Sequence, residues 1–433
     1  MNKKKRLAAA VLFVVVFFQH RGTGAQEVLA EGGREAASGM TVSVVVEEAL
    51  QNNPEIKAAH RRVEARAARV PQARSLDDPM LGLGVSNLPT DSFDFDREDM
   101  TMREFMVSQT VPFPGKLRLR AKVASREEEI AREDLHEVEN RVVAEVKKAF
   151  YEIYFVDRAV EITERNRTLL GEFAKIAETK YGVGTGIQQD VILAQVEVSK
   201  ILDDLIRLEQ ERRTSAARLN TLLDRPPDSP VGQASGVAQV PFTLDLAELE
   251  ERALRNRPLL RALEREIARR EAAHRLARLQ YYPDFTLTFA YGQREGGGLG
   301  RPDFVSAAAT VNIPLYFRTK QDERVNETQA EIRRARRRYE SQKNEMRFAL
   351  GDFLARLRRD AQRLTLFSEA IIPQARQSLD STISGYQVNK VDFLTLLNNQ
   401  VTVFNFERDY YRVLADYQQA LADLELAVGE RFY

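Results

Sequence analysis

The sequence lacks cysteine and tryptophan altogether, and the missing cysteine removes several kinds of chemistry at once. It excludes disulfides, thiolate metal sites, cysteine nucleophiles and a lipid attached through an N-terminal cysteine. Charged residues make up 30% of the 433 residues and are spread along most of the chain, which excludes a bundle of membrane-spanning helices. Beyond residue 25 the chain has 59 basic against 64 acidic residues, a balance that argues against a nucleic-acid binder.

The first 25 residues have the pattern of a secretory signal peptide. A basic stretch, Lys3 to Arg6, precedes an unbroken apolar run of 12 residues from Leu7 to Phe18. That run is too short to cross the roughly 30 Å of hydrocarbon in a bilayer as a helix. Small residues follow at Thr23-Gly24-Ala25, so we expect cleavage after Ala25 and export of the mature chain. A buried N-terminal helix is the alternative, but the run has no amphipathic pattern.

The remaining sequence repeats one plan twice. Pro54 and Pro79 recur as Pro258 and Pro283, each at an offset of 204 residues, and the segment 180–184 matches 385–389 at an offset of 205. Halves of this length exceed the period of solenoid repeats, so they predict a duplicated domain. The predicted divisions are a first repeat at 26–225, a linker at 226–243 where four prolines cluster, and a second repeat at 244–433.

Long helices dominate each predicted repeat. No proline occurs between Pro114 and Pro226, and apolar residues from Leu135 to Val160 recur every three or four positions, which is typical of a coiled-coil seam. A continuous helix over 116–180 would be about 100 Å long, too long for a globular core. We therefore predict an elongated tube or rod built from helices at 116–224 and 318–430. Pro373 is expected to bend the second set rather than end it.

Two segments, at about 80–111 and 284–314, have the different period of β-hairpins. Large apolar residues at Phe285, Leu287 and Phe289 alternate with small or polar ones, and Leu81 and Leu83 alternate with glycines. Each strand is expected to be about nine to eleven residues long, which suits a tilted membrane strand. A soluble hairpin packed on a helix is the alternative. Four strands cannot close a membrane barrel, which needs about eight, so the membrane interpretation requires several chains to pool their strands.

These features together resemble the TolC family of outer-membrane efflux proteins. The resemblance spans about 41–426 and is carried by Asn53-Pro54-Glu55, Asp78-Pro79, the run from Gln109 to Lys116, and the two Tyr-x-Val segments at 181 and 386. It implies a mixed α/β fold in which two internal repeats each give a hairpin to a trimeric outer-membrane β-barrel and long helices to a periplasmic α-helical barrel. The stretches 112–116 and 314–318 would mark the change from barrel to helix.

The resemblance also implies a gate at the periplasmic tip of the tunnel, where a tyrosine, a basic residue and aspartates close the channel. Tyr386 matches the family tyrosine, and Asp190 matches a family aspartate that takes part in the closing hydrogen bonds. The family's basic position is Val391 here, with Lys390 beside it as a substitute. Thr395 and Asn398 occupy the positions of the two aspartate rings, so the constriction is expected to be polar but weakly charged.

The function implied is a passive exit duct for cations or drugs, delivered by an inner-membrane pump through a periplasmic adaptor. The stretch from Ile371 to Leu394 is most similar to the outer-membrane partners of metal-cation pumps. A type I protein-secretion channel and a soluble periplasmic coiled-coil adaptor are the alternatives. We predict no enzymatic activity, cofactor or metal site, because three isolated histidines (60, 136 and 274), which we expect to be solvated, and the glycine run 296–300 form no catalytic or phosphate-binding pattern.

Overall fold

The computed structural model describes residues 40–295 and 302–432, so the predicted signal peptide and the glycine run 296–300 lie outside the described residues. The helices are α1 (Val42–Asn52), α2 (Pro54–Arg74), α3 (Lys116–Gly182), α4 (Gln188–Leu222), α5 (Leu246–Asn256), α6 (Pro258–Leu279), α7 (Gln321–Leu366), α8 (Ile372–Gln387) and α9 (Phe393–Val428). The strands are β1 (Met80–Ser86), β2 (Met102–Val111), β3 (Phe285–Gln293) and β4 (Phe304–Val311). The same order, two helices, two strands and then long helices, therefore occurs twice.

The long helices are present as the spacing predicts. α3 has 67 residues, which at 1.5 Å per residue gives about 100 Å. In the second half, α7 and α8 are joined by a five-residue π-helical segment, Phe367–Ile371, so that helix continues from Gln321 to Gln387. Pro373 follows this segment by two residues. Because proline lacks an N–H and its ring crowds the preceding turn, the wider π turn accommodates it without ending the helix.

Local signals fix where two of these helices begin. The side chain of Asn53 accepts hydrogen bonds from the N–H groups of Glu55 and Ile56, at 2.9 and 3.3 Å, and so caps α2, whose first residue is Pro54. Gly115 has a φ of +98°, a left-handed conformation that suits glycine, and it turns the chain from β2 into α3.

The four strands form one antiparallel sheet in the order β1-β2-β3-β4. The central pairing, with Val111 opposite Phe285, joins the hairpins of the two halves. β2 and β3 have 10 and 9 residues as predicted, but β1 and β4 have 7 and 8 and are shorter than expected. β1 ends early because Asn87 takes a left-handed φ of +55° and its side chain bonds to the carbonyl of Met100, which turns the chain out of the sheet.

One face of the sheet is apolar and uncovered. Leu81 is 74% exposed and Val305 is 80% exposed, at opposite edges of that face. The other face carries glycines and threonines, including a hydrogen bond of 3.1 Å between the hydroxyls of Thr110 and Thr286. Gln109 falls on the apolar face, and its side-chain amide donates to the carbonyl of Asp77 at 2.8 Å. That hydrogen bond satisfies part of the Gln109 side chain, which lies between Val107 and Val111 on this face.

The core lies along α3, where the predicted seam is buried. Leu135, Val142, Val146, Ile153 and Val156 all have less than a tenth of their surface exposed. They join buried residues of α1, α4, α5, α7 and α9 in clusters that run along the helices. Residues 225–245, which contain the predicted linker, form no helix. The division of the chain into two domains at that linker stays a prediction.

Among the helices that the structure describes, none is at once long enough and apolar enough to cross a bilayer.

Candidate gate at the helical tips

Two turns that connect consecutive helices lie side by side at the end of α3 that is farthest from the sheet. One turn, 183–187, joins α3 to α4, and the other, 388–392, joins α8 to α9. Lys180 connects them: its Nζ donates to the carbonyl of Tyr386 at 2.5 Å and to Oδ1 of Asn389 at 2.7 Å. The residues of the predicted gate therefore lie about 100 Å along the helices from the sheet.

Lys180 also makes a cation–π contact in this cluster. Its Nζ is 4.0 Å from the centroid of the Tyr386 ring. The carbonyl that it bonds belongs to the last turn of α8, where the partial negative charge of the helix dipole favours a cation. Lys180 thus joins the C-terminal end of α8 and the turn after it to α3. It does so through a hydrogen bond to a backbone carbonyl, a hydrogen bond to a side chain and a cation–π contact.

Tyr386 is buried, and its hydroxyl lacks a hydrogen-bond partner among the described residues. Its ring packs against Phe393 at a centroid distance of 5.6 Å. Within 40–295 and 302–432, no group makes a hydrogen bond to its buried hydroxyl oxygen. Burial, and secondarily the carboxylate of Asp190, raises the pKa of Tyr386. The phenol is therefore neutral at physiological pH and holds its place through packing and through Lys180.

Two carboxylates face the same groove, and their pKa values are shifted in opposite directions. Burial, together with the charge of Asp392, raises the pKa of Asp190, which Lys180 only partly offsets. Asp392 caps α9 by accepting the N–H of Thr395 at 2.7 Å, and hydrogen bonds of this kind lower the pKa of Asp392. Asp190 is consequently the group of the pair that protonates more easily.

The other predicted gate residues are more peripheral. Lys390 is exposed at the rim of the groove, and its side chain has no ion pair or hydrogen bond with the described residues. Thr395 and Asn398 are exposed one turn apart on α9, outside the groove. The structure thus brings Asp190 and Tyr386 together. It places Lys180, rather than the proposed substitute Lys390, against the tyrosine.

Sequence reasoning missed Lys180. At the offset of 205, Lys180 of the first half corresponds to Gly385 of the second. A Cβ at Gly385 would lie 2.6 Å from Cγ2 of Val391, so a side chain at this position would require Val391 to shift. The duplicated turns therefore differ at the position where the first turn provides the cation.

Candidate metal ligands are scarce in the part of the chain that the structure describes. There, no three histidine or carboxylate side chains are grouped so that they could hold a metal ion. His136 contacts Glu139 on the surface of α3. His274, expected to be solvated, is instead half-buried and makes a hydrogen bond of 2.9 Å with the hydroxyl of Thr328, because α6 packs on α7 at this point.

Long helical hairpins joined to a small sheet with an uncovered apolar face are the architecture of an outer-membrane channel. The family model described as outer membrane efflux protein matches residues 45–225 and 249–430, and the chain belongs to that family. It is an outer-membrane efflux channel that extends into the periplasm, and it has the TolC-like fold expected from the sequence. The family's members are channels.

Individual proteins agree with this assignment. The chain is 23% identical to the cobalt-zinc-cadmium resistance protein CzcC of Cupriavidus metallidurans over 384 residues, which cover 88% of each protein. It has the fold of the outer-membrane channel OprN, with a TM-score of 0.76 and 19% identity over 90% of this chain and 89% of that one. The outer membrane protein VceC of Vibrio cholerae gives a TM-score of 0.75 and 18% identity over 90% and 97%. A soluble periplasmic adaptor is therefore excluded.

Proposed function

We propose that three copies of this chain form one duct, because a single chain leaves its sheet open. Among the described strands, β1 and β4 each have a neighbour on one side only. Unpaired backbone groups at a sheet edge in lipid cost several kcal/mol each, and a closed membrane barrel needs at least about eight strands. Two copies would only reach that minimum, whereas the three copies that the resemblance implies supply twelve strands and leave no edge. The open sheet is the observation that carries this proposal.

The helical part of the chain supports the same assembly. On α4, four apolar side chains are exposed in the single chain: Ile192, Val196, Leu202 and Ile206. A row of exposed apolar residues along a helix is a surface that another helix covers. We assign this surface to the helices of the neighbouring copy, so that the same threefold arrangement closes both the sheet and the helical tube.

Engineered disulfides test the assembly, since the chain has no cysteine of its own. Cysteine is introduced on β1 at Leu81, Leu83 or Val85, and in each case also on β4 at Val305. At least one combination should give covalent trimers in oxidised outer membranes, and the combination that does so reports the stagger of the barrel. The pair Val107→Cys and Phe289→Cys, whose Cα atoms are partners within one chain, is the control that should give no trimer. Failure of all three β1 positions would contradict the proposal.

The gate of this duct is assigned to the contact between the two helical turns. Lys180 of one turn holds Tyr386 and Asn389 of the other, and Asp190 lies in the same groove. Opening the tube at this end requires the turns to separate, which breaks these contacts. The closed state is therefore stabilised by whatever free energy Lys180 contributes.

Divalent metal cations are the proposed substrate class, and a periplasmic adaptor and an inner-membrane pump are the proposed partners. The similarity to CzcC over most of both chains supports the substrate. Photo-crosslinking tests the partners: a benzophenone amino acid replaces Val183 or Leu394, both exposed at the tips, with exposed Phe348 as the control position. Crosslinked adducts with an adaptor, and a metal pump bound to that adaptor, are expected only from the tip positions. Adducts with a protein-secretion transporter would favour the type I secretion alternative and contradict the metal assignment.

A further inference from the structure

A groove of about 760 Å³ lies where the long helices meet the sheet. Arg118 from the first turn of α3 and Arg275 and Arg278 from the last turns of α6 line it, together with Tyr281 and Tyr282. The three arginines are exposed. This volume is in the range of sites that hold small ligands or lipid headgroups.

The three arginines differ from their neighbours in having no partner. Two turns earlier on α6, Arg269 and Arg270 both form ion pairs with Glu266. Across the ranges 40–295 and 302–432, by contrast, no ion pair or hydrogen bond reaches the side chains of Arg118, Arg275 or Arg278, although the chain is rich in ion pairs elsewhere.

No carboxylate is among the described residues that line the groove, and two carboxylates beside it are already engaged. Asp322 accepts the hydroxyl of Tyr281, and Asp284 accepts the Nζ of Lys116 at 2.7 Å. The groove therefore presents three guanidinium groups to solvent without a matching set of carboxylates. Unpaired guanidinium groups in one concave site are donors suited to a phosphate, whose oxygens they can bind in a bidentate manner.

An apolar surface begins directly beside the groove. The last rung of the sheet, Val111 opposite Phe285 opposite Val311, is exposed, and seven residues separate Val111 from Arg118 and Phe285 from Arg278. Tyrosines such as Tyr282, which is 49% exposed, are enriched at the level of lipid headgroups. A molecule with a phosphate in the groove could lay its hydrocarbon along the exposed strands.

We propose that this groove is a binding site for an anionic phospholipid of the periplasmic leaflet. The phosphate is bound by Arg118, Arg275 and Arg278, the two tyrosines border the headgroup, and the acyl chains lie on the apolar face of β2, β3 and β4. Clusters of basic residues at the membrane surface bind anionic lipids in this way. The site is separate from the tips, and it does not depend on the gate or on the substrate.

A tryptophan reporter measures this binding, because the chain contains no other tryptophan. The variant Tyr282→Trp is reconstituted as a purified oligomer into phosphatidylcholine vesicles, and quenching is compared for brominated phosphatidylglycerol and brominated phosphatidylcholine. Phosphatidylglycerol is expected to bind with a preference on the order of tenfold, which falls as salt is raised. Free glycerol phosphate at millimolar concentration should not reverse the quenching, and if it did, the site would bind soluble phosphate rather than lipid.

Two triple variants decide whether the arginines are responsible. The test variant is Arg118→Gln, Arg275→Gln and Arg278→Gln, and the control is Arg333→Gln, Arg337→Gln and Arg338→Gln, which removes the same charge from three exposed arginines of α7. The test variant should lose the preference and the control should keep it. Arg275→Gln alone should lose part of it, which protects the test against a folding defect in the triple variant. Equal quenching by the two lipids in the parent, or equal loss in both triples, would overturn the proposal.

Discussion

Replacement of Lys180 by methionine should open the channel more often. Methionine keeps most of the length of the side chain, being one atom shorter, and removes its charge. The change deletes the two hydrogen bonds to Tyr386 and Asn389 and the cation–π contact at 4.0 Å, all of which join the two helical turns. Since the proposed opening separates those turns, the substitution destabilises the closed state and leaves the open state unchanged.

The expected size follows from these three contacts. A cation–π contact contributes about 0.5–1 kcal/mol at an exposed site, and the half-exposed hydrogen bonds of Lys180 are discounted for solvent screening to a similar total. Together they give about 1.5 kcal/mol per chain, or roughly a tenfold change in the closed-to-open ratio. Three gates acting together would give a larger change.

Single-channel recording in planar bilayers measures this ratio, and two lysines serve as matched controls. Lys175→Met removes an exposed charge from the same helix as Lys180. Lys390→Met removes the basic residue that follows Tyr386 four positions later in the sequence. Neither control should change the open probability. If Lys180→Met left the recordings unchanged, or if Lys390→Met opened the channel equally, the assignment of the cation would be wrong.

Three further predictions, the last with a control substitution, test other residues. Tyr386→Phe should leave the open probability within about twofold of the parent, because the hydroxyl has no partner among the described residues and its loss breaks no hydrogen bond there. Recordings in planar bilayers check this. A large effect would mean that another copy of the chain bonds the hydroxyl. Asp190→Asn should raise the melting temperature at neutral pH. The pKa of Asp190 is raised on folding, so the protonated carboxyl favours the folded state. That contribution is lost as pH rises through the range just above the ordinary pKa of an aspartate. Across that range the melting temperature should therefore depend less on pH in the variant than in the parent. Gly429→Ala should destabilise the protein by about 2–4 kcal/mol, because φ is +77° and a Cβ would lie 2.8 Å from the Cα of Arg257. Gly184→Ala, at a φ of +76° in open space, should cost only about 1 kcal/mol in the same denaturation assay.

Much of the fold could be predicted because its signals are local. A stretch without proline and with apolar residues every three or four positions predicts α3 nearly to its end, and Asn53-Pro54 gives the start of α2. The lengths of β1 and β4 were less predictable. Asn87 and Pro89 indicate that a loop follows Ser86, but the left-handed conformation of Asn87 and its hydrogen bond to the carbonyl of Met100 across the hairpin cannot be seen in the local sequence.

The residues of the candidate gate could be predicted only in part, because their contacts connect distant parts of the chain. Tyr386 and Asp190 were found through resemblance to a family. Lys180 is 206 residues from Tyr386, and nothing in the local sequence indicates which lysine lies against that ring. Lys390 was the nearer candidate in sequence, but it lies past Asn389, whose positive φ turns the chain so that the next side chain points to solvent.

The difference between the two turns gives the duplication a functional meaning. Equivalent residues of the two halves occupy equivalent places in the fold, yet Lys180 corresponds to a glycine in the second half. A lysine at Gly385 would have its Cβ 2.6 Å from Cγ2 of Val391 within its own turn, so it would require that side chain to shift. In the described residues the first turn is held by the donor Lys180, and the acceptors are the carbonyl of Tyr386 and Oδ1 of Asn389. These contacts hold the α3–α4 hairpin to the α8–α9 hairpin. In the proposed gate, this difference between the halves supplies the cation that joins one turn to the other.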